Sequence, residues 1–282
     1  METLKKVGMN IVVMALAVAI LIVGALPQDL TMGLFTNYYL RLIIPSILRI
    51  AATMALAWVV SAKLLKIDAG ELGIKLGKPD IKLVLIAVAL PVLILVFYAF
   101  VLPGKAYVAR PGEFWKSAIT ALFAAGIPAG ICEELVFRGM IYRYMKKTLG
   151  TKIAIIVPAL LFACLHILNM EKFDVVDLII LIVAGSSVSV MFTMYAEASD
   201  SIYPGALAHA VWNALIVGGL FGIGDIVNGS ANKSYIIIPV ESSSKFLTGG
   251  NFGVEAAIPA ILGYILAAFL IALFQGMILK KK

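Results

Sequence analysis

The residues in this sequence best suited to chemistry are Glu133, Glu134, His166 and His209, ionisable side chains set in runs that are otherwise apolar. The histidines are the only two in the chain. A charged side chain inside a lipid-spanning helix costs roughly 2.5–3.5 kcal/mol or more, so a functional role is the first hypothesis for each. A carboxylate beside a histidine can hold and deprotonate a water. His209 is followed four residues later by Asn213, and i, i+4 side chains share one helix face. Such a pair supplies two donors suited to an oxyanion. Base, water and oxyanion donors together are what hydrolysis of an amide requires.

Spacing divides the glutamates. Glu134 and Arg138 stand one turn apart and can pair as carboxylate and guanidinium. Glu133 points about 100° round the same helix and is left for another partner. With Lys146 and Lys147 at the inner interface, Glu133 lies about 14 residues, or roughly 21 Å, along its helix. His166 lies about as far from Lys152, and Asn213 roughly 20 Å from Asp200. The Thr148–Thr151 connection is short enough to make two of these helices antiparallel neighbours. One site at one depth, approached from the cytoplasmic face, is the expectation. Gly126, Pro128 and Gly130 should loosen the helix just before the glutamates, a break tolerated where backbone lines a cavity.

The elements that hold these residues follow from composition. The chain has 282 residues, 62% hydrophobic and 14% charged. Soluble domains run about 45–50% apolar and about 25% charged, so this chain cannot cover itself with polar surface. The expectation is an all-α, polytopic bundle of transmembrane helices, a single integral membrane domain over 1–282. Apolar runs at roughly 7–26, 42–62, 83–102, 118–145, 153–168, 175–195, 202–221 and 256–279 suggest about eight spans. The first, behind Lys5 and Lys6, lacks an A-x-A cleavage site and reads as a signal anchor.

A net charge of +7 raises the question of nucleic acid, but the lysines stand at the ends of apolar runs. They read as topology signals instead, and no nucleic-acid partner is expected. With the N-terminus inside, the inner side takes Lys5, Lys6, the basic residues between Lys63 and Lys82, those from Arg138 to Lys152, and Lys280–Lys282. That is 15 of the 23, against 7 outside, and it predicts both termini in the cytoplasm of a multi-pass cell-membrane protein. Arg49 falls within a span with no identified carboxylate. Cys132 and Cys164 read as two buried thiols. In the polar stretch 222–255, Ser234–Glu241 suggests an extended segment, half of a hairpin. Asn228-Gly-Ser and Asn232-Lys-Ser match the glycosylation triplet by a pattern common by chance.

Glu-Glu-x-x-x-Arg from Glu133, Phe-x-x-x-His from Phe162 and His-x-x-x-Asn from His209, each in its own span, resemble the CPBP family. That is the family of CAAX prenyl endopeptidases and bacteriocin-processing or immunity proteins. Ser201–His209 also resembles the family's approach to its last motif, and the resemblance covers 115–215, the expected catalytic core. It implies that Glu133 and His166 activate water, that His209 and Asn213 bind the oxyanion, and that Glu134 and Arg138 orient the site. It also implies an intramembrane endopeptidase acting on a membrane-associated, CAAX-type peptide or protein, with lipid as its surroundings.

Three other readings stand beside it. A zinc enzyme would use His166, His209 and a glutamate as ligands; the residues do not form HExxH, Asn213 is a poor zinc ligand, and no cofactor is expected. A non-catalytic immunity or regulatory scaffold would have no use for the complete motif set. A transporter or proton relay predicts repeated halves, which the sequence does not show.

Overall fold

The computed structural model describes residues 2–276 apart from 69, 76, 78, 79, 103, 171, 172 and 225–232. Its helices are α1 (Glu2–Thr31), α2 (Tyr38–Val60), α3 (Ile81–Phe100) and α4 (Phe114–Leu149). They continue with α5 (Thr151–Asn169), α6 (Val175–Ser199), α7 (Tyr203–Trp212) and α8 (Ile258–Phe274). The expected all-α membrane bundle is what the chain forms. Among the described residues, each of the eight apolar runs is helical over most of its length. The first six helices are long and apolar enough to cross a membrane, whereas α8 is a shorter apolar helix of 17 residues.

The helix starts follow from side-chain caps. Asn37, Asp80 and Asp174 each accept backbone N–H bonds at the first turn of α2, α3 and α6, meeting donors the helix cannot. Between α4 and α5 the chain reverses at Gly150, whose φ of 88° suits a residue without Cβ. That tight joint makes α4 and α5 antiparallel neighbours, as the spacing predicted.

α4 is the element on which the site is built, and it is not a uniform helix. Ala121–Gly126 and Leu135–Tyr142 are π-helical, on either side of the α-helical stretch Ile127–Glu134. Segments of this kind occur most often at functional sites. Gly126 and Gly130 do more than loosen the helix. A Cβ at Gly126 would stand 2.8 Å from the Ala210 carbonyl oxygen, and one at Gly130 2.6 Å from that of Ala206. The backbones of α4 and α7 therefore touch across small residues, the closest approach two membrane helices can make. Gly185 of α6 meets Ala163 of α5 in the same way, at 2.9 Å. These contacts draw the ends of α4, α5, α6 and α7 that bear polar residues towards one another.

The two ends of the bundle differ in charge. At one, Lys75 and Arg143 both reach Asp200 at 2.7 Å, Lys146 pairs with Glu197, and Lys147 stands 3.5 Å from Glu71. Hydrogen bonds from Lys75 and Arg143 hold the Asp200 carboxyl below the usual range. At the other end lies a small sheet of β1 (Tyr107–Val108), β2 (Phe221–Gly224) and β3 (Ile236–Pro239), in the order β1-β3-β2.

Several expectations need correction. Ser234–Glu241 does contain a strand, but β3 is the centre of this sheet, antiparallel to β1 and parallel to β2, and not half of a hairpin. Parallel neighbours need a long connection, and a hairpin turn cannot join them. Arg138, counted with the inner basic residues, is 1% exposed and sits in the core of the bundle. Cys132 is buried but Cys164 faces outwards from α5. Arg49 meets no carboxylate among the described residues; its Nη1 donates to Gln28 Oε1 at 3.3 Å. Asn228, Asn232, Lys78, Lys172 and the Lys280–Lys282 tail lie outside the described residues.

Candidate active site

Glu133, His166, His209 and Asn213 line one cavity of about 170 Å³. The convergence predicted from helix rise is therefore present. Its direction is not as expected: the lining runs to Asn169, Val217 and Phe252, at the sheet end of the bundle and not the basic end. The rise estimate located the depth of each residue but carried no information on which end was plugged.

Below the cavity is a buried polar core. Glu134 has no exposed surface, and its Oε1 accepts from Arg138 Nη1 at 2.8 Å. Arg138 Nη2 then donates to the carbonyl oxygen and to Oγ of Ser189 on α6, both at 2.8 Å. Its guanidinium stands 5.2–5.7 Å from the ring centroids of Phe137, Phe162 and Phe192. Rings at that distance attract a cation through their quadrupole, most strongly where water is excluded. The charge of Arg138 is thus met by one carboxylate, two oxygens and three aromatic faces. Glu134 Oε2 has no hydrogen-bond partner among the described residues, and Gly205 leaves it room.

Glu134 has a second contact that the spacing did not predict. His209 Nδ1 lies 3.2 Å from the same Oε1. A carboxylate paired with arginine can only accept, so Nδ1 carries the hydrogen and donates it. The other ring nitrogen, Nε2, is 3.9 Å from Glu133 Oε2. Phe192 stacks on the imidazole with centroids 4.7 Å apart and planes 13° from parallel. Three neighbours on α4 and α6 thus fix position, tilt and tautomer of one side chain on α7.

Glu133 is the exposed member of the pair of glutamates, 22% accessible and turned into the cavity. His166 Nδ1 bonds the Phe162 carbonyl oxygen at 2.8 Å, which leaves Nε2 for other partners. Phe162 packs beneath the site, 4.5 Å from the His166 ring and 5.1 Å from Phe137. His166 shares the cavity with Glu133, but the imidazole within ion-pair distance of Glu133 among the described residues is His209. Asn213 opens the π-helical stretch Asn213–Val217, and its Nδ2 makes a long 3.5 Å contact to the Ala125 carbonyl oxygen. A bond of that length holds the amide only weakly.

One cavity residue was missed. Glu255, in the helical turn Val254–Ala256 before α8, lines the same cavity, although the sequence reading left it in a polar outer loop. Its carboxyl is surrounded by protein, and the residue lines both this cavity and the one beneath the sheet. Burial pushes its carboxyl up to about 7, while His209 and the Trp212 indole N–H act against the rise. The available signal was the glycine spacing of Gly249-Gly250-Asn251-Phe252-Gly253, which marks a tight turn and not an open loop. Among the described residues, no three His, Cys, Asp or Glu side chains are grouped closely enough to hold a metal ion.

Residues 115–215 match the family model described as type II CAAX prenyl endopeptidase Rce1-like. The match covers the three motifs, borne by α4, α5 and α7, together with α6 between them. No curated protein and no solved structure matches the chain.

Proposed function

We propose that this membrane chain, whose residues 115–215 match the type II CAAX prenyl endopeptidase Rce1-like model, is an intramembrane endopeptidase. The observation that carries the proposal is the single cavity shared by Glu133, His166, His209 and Asn213. Glu133 is the base: it is the carboxylate with exposed surface, and it takes a proton from a water held in the cavity. His166, anchored through Nδ1, holds that water with Nε2. The water oxygen attacks the peptide carbonyl, and the negative charge that forms on the carbonyl oxygen is met by His209 and Asn213.

Glu134, Arg138 and Ser189 do not enter the cavity and serve to orient. With the Nδ1 hydrogen given to Glu134, His209 donates to the oxyanion through Nε2 only with a hydrogen on that nitrogen as well. The reaction in this form is metal-free, and activity unaffected by chelator is the expected result.

The substrate is a membrane-associated peptide, with a prenylated CAAX peptide as the probe the family points to. The chain sits in the cell membrane with its basic end and both termini cytoplasmic, and 115–215 acts as the catalytic core of one domain. Purified protein in detergent should cleave an internally quenched farnesylated CAAX peptide, and Glu133→Gln and His166→Ala should reduce the rate to background with the fold intact. Full activity in purified Glu133→Gln would sink the mechanism. A cellular phenotype that survives Glu133→Gln would instead support the scaffold reading.

A further inference from the structure

Peptide hydrolysis needs two proton movements, and the residues above account for one. The attacking water gives a proton to Glu133. Before the carbon–nitrogen bond can break, the leaving nitrogen must receive a proton, because an amide anion is too poor a leaving group. The motif residues contain no second carboxyl for this: Glu134 is sealed beneath the cavity by Arg138 and His209.

A second carboxyl is nevertheless built into the cavity, by a segment outside the matched region. After the helical turn Lys245–Thr248, Gly249, Gly250 and Gly253 take φ of 76°, 59° and 83°. At Gly249 any Cβ would collide with the Gly253 carbonyl, and at Gly250 it would fall 2.2 Å from Asp177 Oδ1. The turn is pinned to α6, since the Asn251 amide donates to Asp177 Oδ2 at 3.3 Å and Lys245 bonds both Asp174 and Asp177. It places Phe252 6.1 Å from the His166 ring, and Glu255 in the cavity wall. The Tyr264 hydroxyl holds Glu255 from behind, donating to its backbone carbonyl at 3.1 Å.

We propose that Glu255 is the proton donor to the leaving amine, the partner of Glu133 in the hydrolysis. This rests on the endopeptidase reading and extends it. In the step, the tetrahedral intermediate re-forms its C=O bond and the C–N bond breaks. Its electron pair goes to nitrogen, which takes the proton from the Glu255 carboxyl. Glu133 is left protonated and Glu255 ionised, and transfer of that proton between them through cavity water restores the starting state.

The surroundings suit a carboxyl that is protonated before the step and ionised after it. Burial keeps the proton on Glu255 up to about pH 7. Once it leaves, the Trp212 indole N–H and the His209 ring, both from α7, favour the carboxylate. The other ionisable groups around it are Glu133 of α4, which disfavours its ionisation, His166 of α5, which lines the same cavity, and Tyr264 of α8. On α6 the charged group is Asp177, engaged instead by Lys245 and the Asn251 amide.

The test compares two farnesylated CAAX peptides, one with the scissile amide and one with an ester in its place. An ester departs as an alkoxide and depends far less on a proton donor. Glu255→Gln should lower amide cleavage by about 10²- to 10⁴-fold, the usual range for loss of an acid catalyst, and ester cleavage by less than about tenfold. The high-pH decline of the wild-type amide rate should disappear in the variant. Equal losses on both substrates, or no loss on the amide, would overturn the proposal. Glu133→Gln is run alongside: if it is active, it is the water-activation reading that fails. A substrate-free check is infrared difference spectroscopy between wild type and Glu255→Gln. It should show a protonated carboxyl at roughly pH 6 that is lost by roughly pH 8; an ionised Glu255 throughout that range overturns the proposal whatever the substrate.

Discussion

A buried carboxyl held protonated has a consequence for stability that needs no substrate. Glu255 titrates at about 7 in the folded chain against an ordinary value of 4.5. The folded state therefore binds this proton more tightly than the unfolded state does, and stability falls as pH rises. The contribution is fully present below about pH 4.5, declines between 4.5 and 7, and is gone above 7. Each tenfold difference in proton affinity is worth about 1.4 kcal/mol, so the difference across the window is about 3 kcal/mol as an upper bound. The surface Glu255 keeps towards the cavities lowers it, and about 1–3 kcal/mol is the expected range. Glu255→Gln preserves shape and an acceptor for the Trp212 N–H but cannot ionise. Wild type and variant should unfold together near pH 4.5 and separate as pH rises, with the variant the more stable by that amount near pH 8. Thermal and denaturant unfolding in detergent, followed by tryptophan fluorescence across this pH series, measures the gap. Parallel curves for the two proteins would show that Glu255 is not desolvated, and the reasoning from its enclosure would fail.

Further outcomes follow from the same geometry. Arg138→Met leaves Glu134 as an unpaired buried charge and should cost about 3–5 kcal/mol in unfolding experiments, while the Glu134→Gln/Arg138→Met double variant should recover part of that loss. An additive double variant would mean that the pair is not coupled. Gly250→Ala meets Asp177 Oδ1 at 2.2 Å in a left-handed conformation, so it should reduce cleavage by displacing Phe252 and Glu255 while the helical circular dichroism stays unchanged. Undiminished cleavage would separate the turn from the site. With the basic end cytoplasmic, a cysteine at Ser242 in a chain freed of Cys132 and Cys164 should react with a membrane-impermeant maleimide on intact cells, whereas one at Thr148 should not; the reverse pattern inverts the orientation.

Helices and site were legible in the sequence to different degrees, for physical reasons. Apolar runs mark helices directly, because a backbone in lipid must satisfy its own hydrogen bonds. The Glu134–Arg138 pair was legible because i, i+4 neighbours on one helix need no tertiary knowledge. Depth was legible because rise per residue is constant. The π-helical stretches of α4 were not, since a local five-residue hydrogen-bond pattern leaves no period in the sequence. Nor was Ser189, whose hydroxyl and carbonyl oxygen meet Arg138 only because Gly185 lets α6 lie against α5. Glu255 was hidden for a related reason. Its neighbours in sequence are polar and glycine-rich, and only the contacts of Lys245 and Asn251 with α6 turn that stretch inwards.

His209 shows why the division between residues that do chemistry and residues that orient them depends on hydrogens as much as on positions. Its Nδ1–H is committed to Glu134, so whatever happens at Nε2 is coupled to the charge of that carboxylate. Glu134 is in turn shared with Arg138 through the same oxygen, Oε1, while Oε2 has no hydrogen-bond partner among the described residues. Removing the Glu134 charge by Glu134→Gln leaves an amide that can face His209 with either a donor or an acceptor. The imidazole then loses its fixed tautomer. The deficit should therefore appear in kcat for peptide cleavage with little change in KM, because the oxyanion exists only after water has attacked. A purely structural Glu134 would give the opposite pattern, with folded protein lost and the surviving fraction turning over at the wild-type rate. Active-site titration of the purified variant separates the two. Within the motif, the glutamate that never reaches the cavity thus sets whether His209 can act there.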